Sequence, residues 1–244
     1  MKLHENKNDP VINGYHSFYY QEKGGEKLKY RFFSPSVDNN QQKYPLVVHF
    51  HGVGSRGDNN SSQLRMAKKV TAGENAATFP CFVFAPQCPT DKKWVDEEWS
   101  ALSHTMSVKP AEQMVLALAA IDKITKNYPI DTARIYVYGQ SMGGFATWDI
   151  LCRRPDLFAA AVPVCGGGDE TLAKKIAHVP VWIFHGMLDP TVNVQRSRNM
   201  FAALKEVGGN PHYTEYPRVK HRAWSYSYSP KLFSWMFSQK KTSF

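Results

Sequence analysis

The stretch RIYVYGQSMGGFATW, from Arg134 to Trp148, changes periodicity within a single residue. RIYVYG is an apolar, β-favouring run, and FATWDILCRRP that follows carries helical spacing, so the chain must leave a strand and enter a helix at Ser141. Gly139 and Gly143 keep the neighbouring backbone from colliding at so sharp a corner. The turn lifts the serine Oγ clear of the sheet, at the positive end of the following helix. A strand that ends this way belongs to a sheet covered by helices, because the helix must pack back onto the strand it has just left.

The rest of the chain reads the same way. YHSFYYQEKGGEKLKYRFFSP predicts two strands joined at EKGGEK, with Gly24 and Gly25 supplying the positive φ of a tight hairpin, after a start that reads as irregular. SVDNNQQK is the next loop. YPLVVHFHG and CFVFAPQ are apolar runs of strand length, as expected of strands buried on both faces. PAEQMVLALAAIDKITKNY predicts a helix with proline in its first turn. FAAAVPVCGG and VPVWIFHG predict strands, NVQRSRNMFAALKEVGG a helix closed by Gly208 and Gly209, HYTEYP a last strand and SPKLFSWMFSQK a terminal helix. This alternation predicts an α/β fold: a mostly parallel central sheet with helices on both faces and an antiparallel N-terminal hairpin. The expected organisation is a single domain over 1–244, a length that such folds reach with one core.

Composition narrows the function classes. The hydrophobic fraction of 43% supplies a core, yet no apolar stretch reaches the roughly 18 to 20 residues of a membrane-spanning helix. MKLHENKNDPVING has no apolar export-signal core, so the expectation is a cytoplasmic protein, or a secreted one if a signal has been removed. The formal charge of +9 is spread over scattered lysines and arginines with no nucleic-acid motif, which predicts a basic solvated surface and no nucleic-acid or membrane partner. Cys81, Cys88, Cys152 and Cys165 follow no metal-ligand spacing. Buried free thiols are expected, with a Cys81–Cys88 disulfide as the alternative.

A serine at neutral pH needs a base within hydrogen-bond reach, and the base needs an orienting group. VWIFHGMLDPTV places Asp189 just beyond a predicted buried strand, and YTEYPRVKHRAW places His221 in the loop after the last strand. The order Ser141, Asp189, His221 puts all three over the carboxyl edge of the sheet. An oxyanion formed at Ser141 needs donors: the backbone N–H of Met142, and that of Val53 in the glycine-rich loop HFHGVGSRGDNN. A metal pair of His49 and His51 is the rival reading of this loop, but no nearby Cys, Asp or Glu cluster completes a shell, so neither metal nor cofactor is expected. His185 reads as structural or surface. Trp94, Trp99 and Trp224 fall in segments predicted near the same edge, and Trp94 and Trp224 are the candidates for substrate binding. Asp169, after GGG, is a candidate pocket residue or an ordinary turn residue.

Taken together, LKYRFFSPS, YPLVVHFHGVGSRGDNN, APQCP, RIYVYGQSMGG, PDLFAAAVPVCGGGD, VPVWIFHGMLDPTV and YTEYPRVKHRAW resemble an α/β-hydrolase. The resemblance is to the phospholipase/carboxylesterase and dienelactone-hydrolase-like group, close to the feruloyl and acetyl esterases of carbohydrate esterase family one and to polyhydroxybutyrate depolymerase-like esterases. It implies Ser141 as nucleophile, Asp189 as orienting acid, His221 as general base, and Val53 and Met142 at the oxyanion hole. Relatives often carry glutamate where Ser55 stands and glycine where Lys220 stands; neither departure removes a catalytic side chain. The expectation is a metal-independent serine carboxylesterase, monomer or homodimer, acting on small-molecule or oligosaccharide esters with short or aromatic acyl groups. A prolyl-oligopeptidase-type peptidase and a hydrolase-shaped binding protein without chemistry are the alternatives.

Overall fold

The computed structural model describes residues 3–22, 25–36 and 42–241. Among these, nine strands form one sheet: β1 (Leu3–Glu5), β2 (Tyr15–Gln21), β3 (Lys27–Phe33), β4 (Tyr44–Phe50), β5 (Phe82–Pro86), β6 (Ile130–Gln140), β7 (Ala160–Val164), β8 (Trp182–Gly186) and β9 (His212–Tyr216). Their order is β1-β2-β3-β5-β4-β6-β7-β8-β9. β1, β2 and β3 pair antiparallel and β3 joins β5 antiparallel, whereas β5 through β9 are parallel neighbours. The described residues form eight α-helices: α1 (Leu64–Ala67), α2 (Glu74–Thr78), α3 (Glu112–Asn127), α4 (Met142–Arg153), α5 (Ala173–Ile176), α6 (Gln195–Glu206), α7 (Trp224–Ser227) and α8 (Pro230–Ser238).

Side chains alternate across the sheet with the period of two that a strand imposes. Leu46, Val48 and Phe50 of β4, with Ile135 and Val137 of β6, pack into a core shared with α3, α4 and α6. Val47, Tyr136 and Tyr138 point the other way, into a second core with α1 and α8. Every residue of β4, β5, β7 and β8 is buried, which is why these strands read as continuous apolar runs.

The helix ends follow their sequence signals. Gly208 at φ +84° closes α6, with Gly208 N–H donating to Lys205 O and Gly209 N–H to Leu204 O, a Schellman arrangement. Ser229 caps α8 by accepting from Leu232 N–H, with Pro230 at the first helical position.

Four details differ from the sequence reading. Residues 3–5 are not irregular but form β1, and the chain returns through Asn13 (φ +50°) and Gly14 (φ +81°), an Asn-Gly pair whose two positive φ values suit a two-residue hairpin turn. Gly25 has no positive φ, and Gly24 lies outside the described residues, as do residues 37–41 of the following loop. Pro110 precedes α3 instead of entering it, because Ala111 is still extended at the cap (ψ 146°). The short helices α1, α2, α5 and α7 were not anticipated. Among the described residues no helix is long and apolar enough to cross a membrane.

Candidate active site

β6 delivers the chain to Gln140, and α4 departs from Met142, leaving Ser141 alone at the corner with φ +56° and ψ −122°. A side chain other than glycine at this φ is strained and persists only where its surroundings over-determine it. Ser141 N–H donates to Val164 O at 2.8 Å, and its carbonyl accepts from Gly144 N–H at 2.7 Å. The glycines are required by approach distance. A Cβ on Gly139 would lie 2.0 Å from Gly143 O, and one on Gly143 would lie 2.0 Å from Phe50 O.

The other two side chains arrive on separate loops. Asp189 follows β8 and His221 follows β9. Gly186 lets these loops meet, since a Cβ there would lie 2.2 Å from Lys220 O and 2.4 Å from Val219 O. Ser141 Oγ is 2.8 Å from His221 Nε2, and His221 Nδ1 is 2.7 Å from Asp189 Oδ2. The carboxylate only accepts, so Nδ1 carries the proton and Nε2 is free to accept from the serine hydroxyl.

The Asp189 side chain has no exposed surface. Its Oδ1 accepts from Thr191 N–H at 2.8 Å and Val192 N–H at 3.0 Å, and its Oδ2 lies 3.2 Å from His185 Nε2 as well. Burial alone raises a carboxyl group, but the hydrogen bonds from His185, His221, Val192 and Thr191 outweigh it and hold Asp189 well below the carboxylate range. The thiol of Cys165, at the end of β7, lies beside Asp189 and His221, and burial keeps it protonated.

Gly52 presses the loop after β4 against the corner: a Cβ there would lie 3.3 Å from Ser141 Cβ. Val53 opens the 3-10 turn Val53–Ser55, and Met142 opens α4. Among the described residues neither N–H has a backbone partner. The loop is anchored by His51, whose Nδ1–H donates to Gly52 O at 2.7 Å and whose Nε2 accepts from Cys88 N–H at 2.9 Å. Burial lowers His51 to about 4. His49 Nε2 bonds Tyr228 OH at 2.8 Å, so the two imidazoles are engaged by different partners instead of converging on one point.

The tryptophans divide. Trp94, expected at the substrate, is wholly buried and donates its indole N–H to His51 O at 3.2 Å, so it supports the loop from behind and offers no face to a ligand. Trp224 stands edge-on to His221 with ring centroids 5.1 Å apart. Trp99 packs partly buried against the core with Lys93 Nζ 5.1 Å from its ring. Asp169 accepts from Met106 N–H at 2.8 Å, from Thr171 N–H at 3.0 Å and from the Thr171 hydroxyl at 2.6 Å, which makes it a tether for residues 97–108. The same segment is held by Arg153, which donates to Ser107 O and Val108 O, and by buried Arg196, which donates to Ala101 O. All four cysteines are buried and unpaired.

In the sequence Gly186 does not read as a site residue, His51 reads only as half of a metal pair with His49, and His185 as structural or surface. The HG dipeptides at the ends of β4 and β8 were their only signal in the sequence.

Residues 97–178 match the prolyl oligopeptidase family, a stretch that contains Ser141 but neither Asp189 nor His221. The chain is similar to the crystal structure of a thermostable esterase, with TM-score 0.87 and 35% sequence identity, covering 95% of this chain and 64% of that one. It is also similar to a ferulic acid esterase structure, with TM-score 0.69 and 16% identity, over 91% of this chain and 96% of that one. A bifunctional acetylxylan esterase/xylanase of Neocallimastix patriciarum is 36% identical over 76 residues, 31% of this chain and 11% of that protein. The chain thus spans less than two thirds of the thermostable esterase and about a tenth of the curated relative. Strand order, the strained serine corner and these likenesses agree: the chain has the α/β-hydrolase fold.

Proposed function

We propose that the protein is a serine carboxylesterase. The observation that carries this reading is the unbroken relay from Ser141 Oγ through His221 to a buried, fully hydrogen-bonded Asp189. In the proposed reaction His221 Nε2 takes the Ser141 proton as Oγ attacks the ester carbonyl, and Asp189 stabilises the imidazolium. The N–H groups of Val53 and Met142 receive the oxyanion. His221 then protonates the departing alcohol, and the same histidine activates the water that cleaves the acyl-enzyme.

For substrate class the support is chemical and comparative. Trp224 stands beside the base, where an aromatic ring suits a hydroxycinnamoyl group or a sugar face. The names of the ferulic acid esterase and of the acetylxylan esterase/xylanase point to acyl esters of the same two kinds. Short-chain or aromatic acyl esters, including those on plant cell-wall carbohydrates, are the proposed substrates.

The test is hydrolysis of p-nitrophenyl acetate, p-nitrophenyl octanoate and methyl ferulate by wild type and by Ser141→Ala. Turnover by wild type that is lost in the variant is the expected result, and the preferred member of the panel identifies the acyl pocket. The family match over residues 97–178 favours a second reading, a peptidase of the prolyl-oligopeptidase type. A proline-containing p-nitroanilide cleaved faster than every ester would replace the esterase reading with that one.

A further inference from the structure

Asp189 has a second imidazole beneath it. His185, in β8, is wholly buried. Its Nε2 lies 3.0 Å from Val192 O and 3.2 Å from Asp189 Oδ2, and both can only accept, so Nε2 carries a proton. Its Nδ1 lies 2.7 Å from Ser197 Oγ of α6, and that hydroxyl is 3.3 Å from Gly166 O. One hydroxyl proton serves one of these contacts, and the shorter takes it: Ser197 donates to Nδ1, leaving a ring whose Nε2–H faces Val192 O, the nearer acceptor, and Asp189 Oδ2 beside it. Asp189 Oδ2 therefore faces two protonated imidazole nitrogens, His221 Nδ1 at 2.7 Å and His185 Nε2 at 3.2 Å, the second shared with Val192 O at 3.0 Å.

We infer that His185, oriented by Ser197, is a positioning residue for the acid: it holds Oδ2 in line with His221 and draws off part of the carboxylate charge, so setting how strongly Asp189 acts on His221. This rests on the serine-hydrolase reading of the site. The groups around His185 come from four elements. Asp189 follows β8 itself, and Ser197 belongs to α6. His221 comes from the loop after β9, and Glu215 stands opposite in the β9 register. Glu215 is engaged by Arg198 at 2.6 Å and 2.9 Å and by Tyr213 OH at 2.6 Å. Cys165, beside Asp189, stays a neutral thiol. The carboxylate nearest the His185 N–H is thus that of Asp189, with Val192 O the other acceptor.

The test uses three variants. His185→Phe keeps a ring but removes the donor, His185→Gln places an amide N–H near the position of Nε2, and Ser197→Ala frees Nδ1 without touching the ring. With p-nitrophenyl acetate, kcat/KM in His185→Phe is expected to fall about tenfold, because the acid is no longer held in line with the base. The acid limb of its pH profile should move upward by about half a pH unit or more, since a carboxylate that has lost a donor presents more charge to His221. His185→Gln should return the limb toward wild type, and Ser197→Ala should lie between. The far-downfield proton resonance of His221 Nδ1–H, which needs no turnover, should shift in His185→Phe and Ser197→Ala. A folded His185→Phe with limb and resonance at their wild-type positions overturns the inference. If that variant does not fold, an unmoved limb and resonance in Ser197→Ala overturn it. Should wild type hydrolyse no ester, the esterase reading fails separately and the resonance alone decides the role of His185.

Discussion

Ser141 pays for its position with backbone strain: at φ +56° it costs on the order of 1 to 3 kcal/mol that a glycine would not. Two variants separate strain from chemistry. Ser141→Ala and Ser141→Gly both lose Oγ, and on the proposed mechanism each loses on the order of 10⁴-fold or more of ester turnover. Ser141→Gly also sheds the strain, so thermal unfolding should place it about 2 to 12 °C above Ser141→Ala. The proposed oxyanion donor at Val53 is testable although it is backbone. Val53 is the first residue of its 3-10 turn and Gly52 before it is extended (φ −80°, ψ 171°), a setting that accepts proline. Val53→Pro should fold, bind substrate with little change in KM, and lose on the order of 100-fold to 1,000-fold in kcat. At this scale Ser141, Asp189 and His221 were legible as candidates because each follows a strand end: apolar runs mark those before Ser141 and Asp189, and the β-favouring HYTEYP the one before His221. Trp94 was misread because a tryptophan near a predicted loop gives no hint of which side of that loop it packs on. His185 read only as structural or surface, because a histidine inside an apolar strand looks the same whether its ring nitrogens are idle or held by Ser197, Val192 and Asp189.

The elements meet at the site through glycine, and the approach distances say which glycines matter. Gly143→Ala would drive a Cβ to 2.0 Å from Phe50 O, so α4 and β4 must separate. The expected cost is at least about 1 to 3 kcal/mol, read by denaturant unfolding, together with lost turnover as the corner moves. Gly54→Ala, in the same region with nothing within 4 Å, is the control and should leave stability within about 0.5 kcal/mol of wild type. Residues 97–108 have no regular structure of their own and depend on Arg153, Asp169 and Arg196 for their place. Asp169→Ala removes the acceptor for Met106 N–H and should open this segment to chymotrypsin at Trp99 or Leu102 before the rest of the chain is cut. Strands and long helices were legible because period and length carry them. The four-residue and five-residue helices were not, since so short a stretch shows less than two turns of pattern and its helicity comes from what it packs against. The Asn13-Gly14 turn was written in the sequence and went unread because the polar residues around it resemble an irregular terminus.

The molecule as a whole buries many groups in their neutral form. Burial raises Tyr15, Tyr30, Tyr136, Tyr138 and Tyr228 above their ordinary 10.0, and pushes Cys81, Cys88 and Cys152 from 9.0 up to about 12. Unfolded, these groups release protons from pH 9 and 10 upward, while the folded chain retains them, so the unfolded state binds fewer protons and stability falls as pH rises. Stability should therefore decline from about pH 9, with tyrosinate absorbance developing in step with the loss of circular dichroism. Tyrosinate appearing before unfolding, in proportion to all five buried rings, would contradict this. The cysteines give the two cores separate voices. Cys88 and Cys152 sit in the core under α3 and α4, and Cys81 and Cys165 in the one under α1 and α8. A thiol reagent reaches either pair only when its side of the sheet opens, so the order in which the four label reports whether the two faces of this molecule come apart together or one at a time.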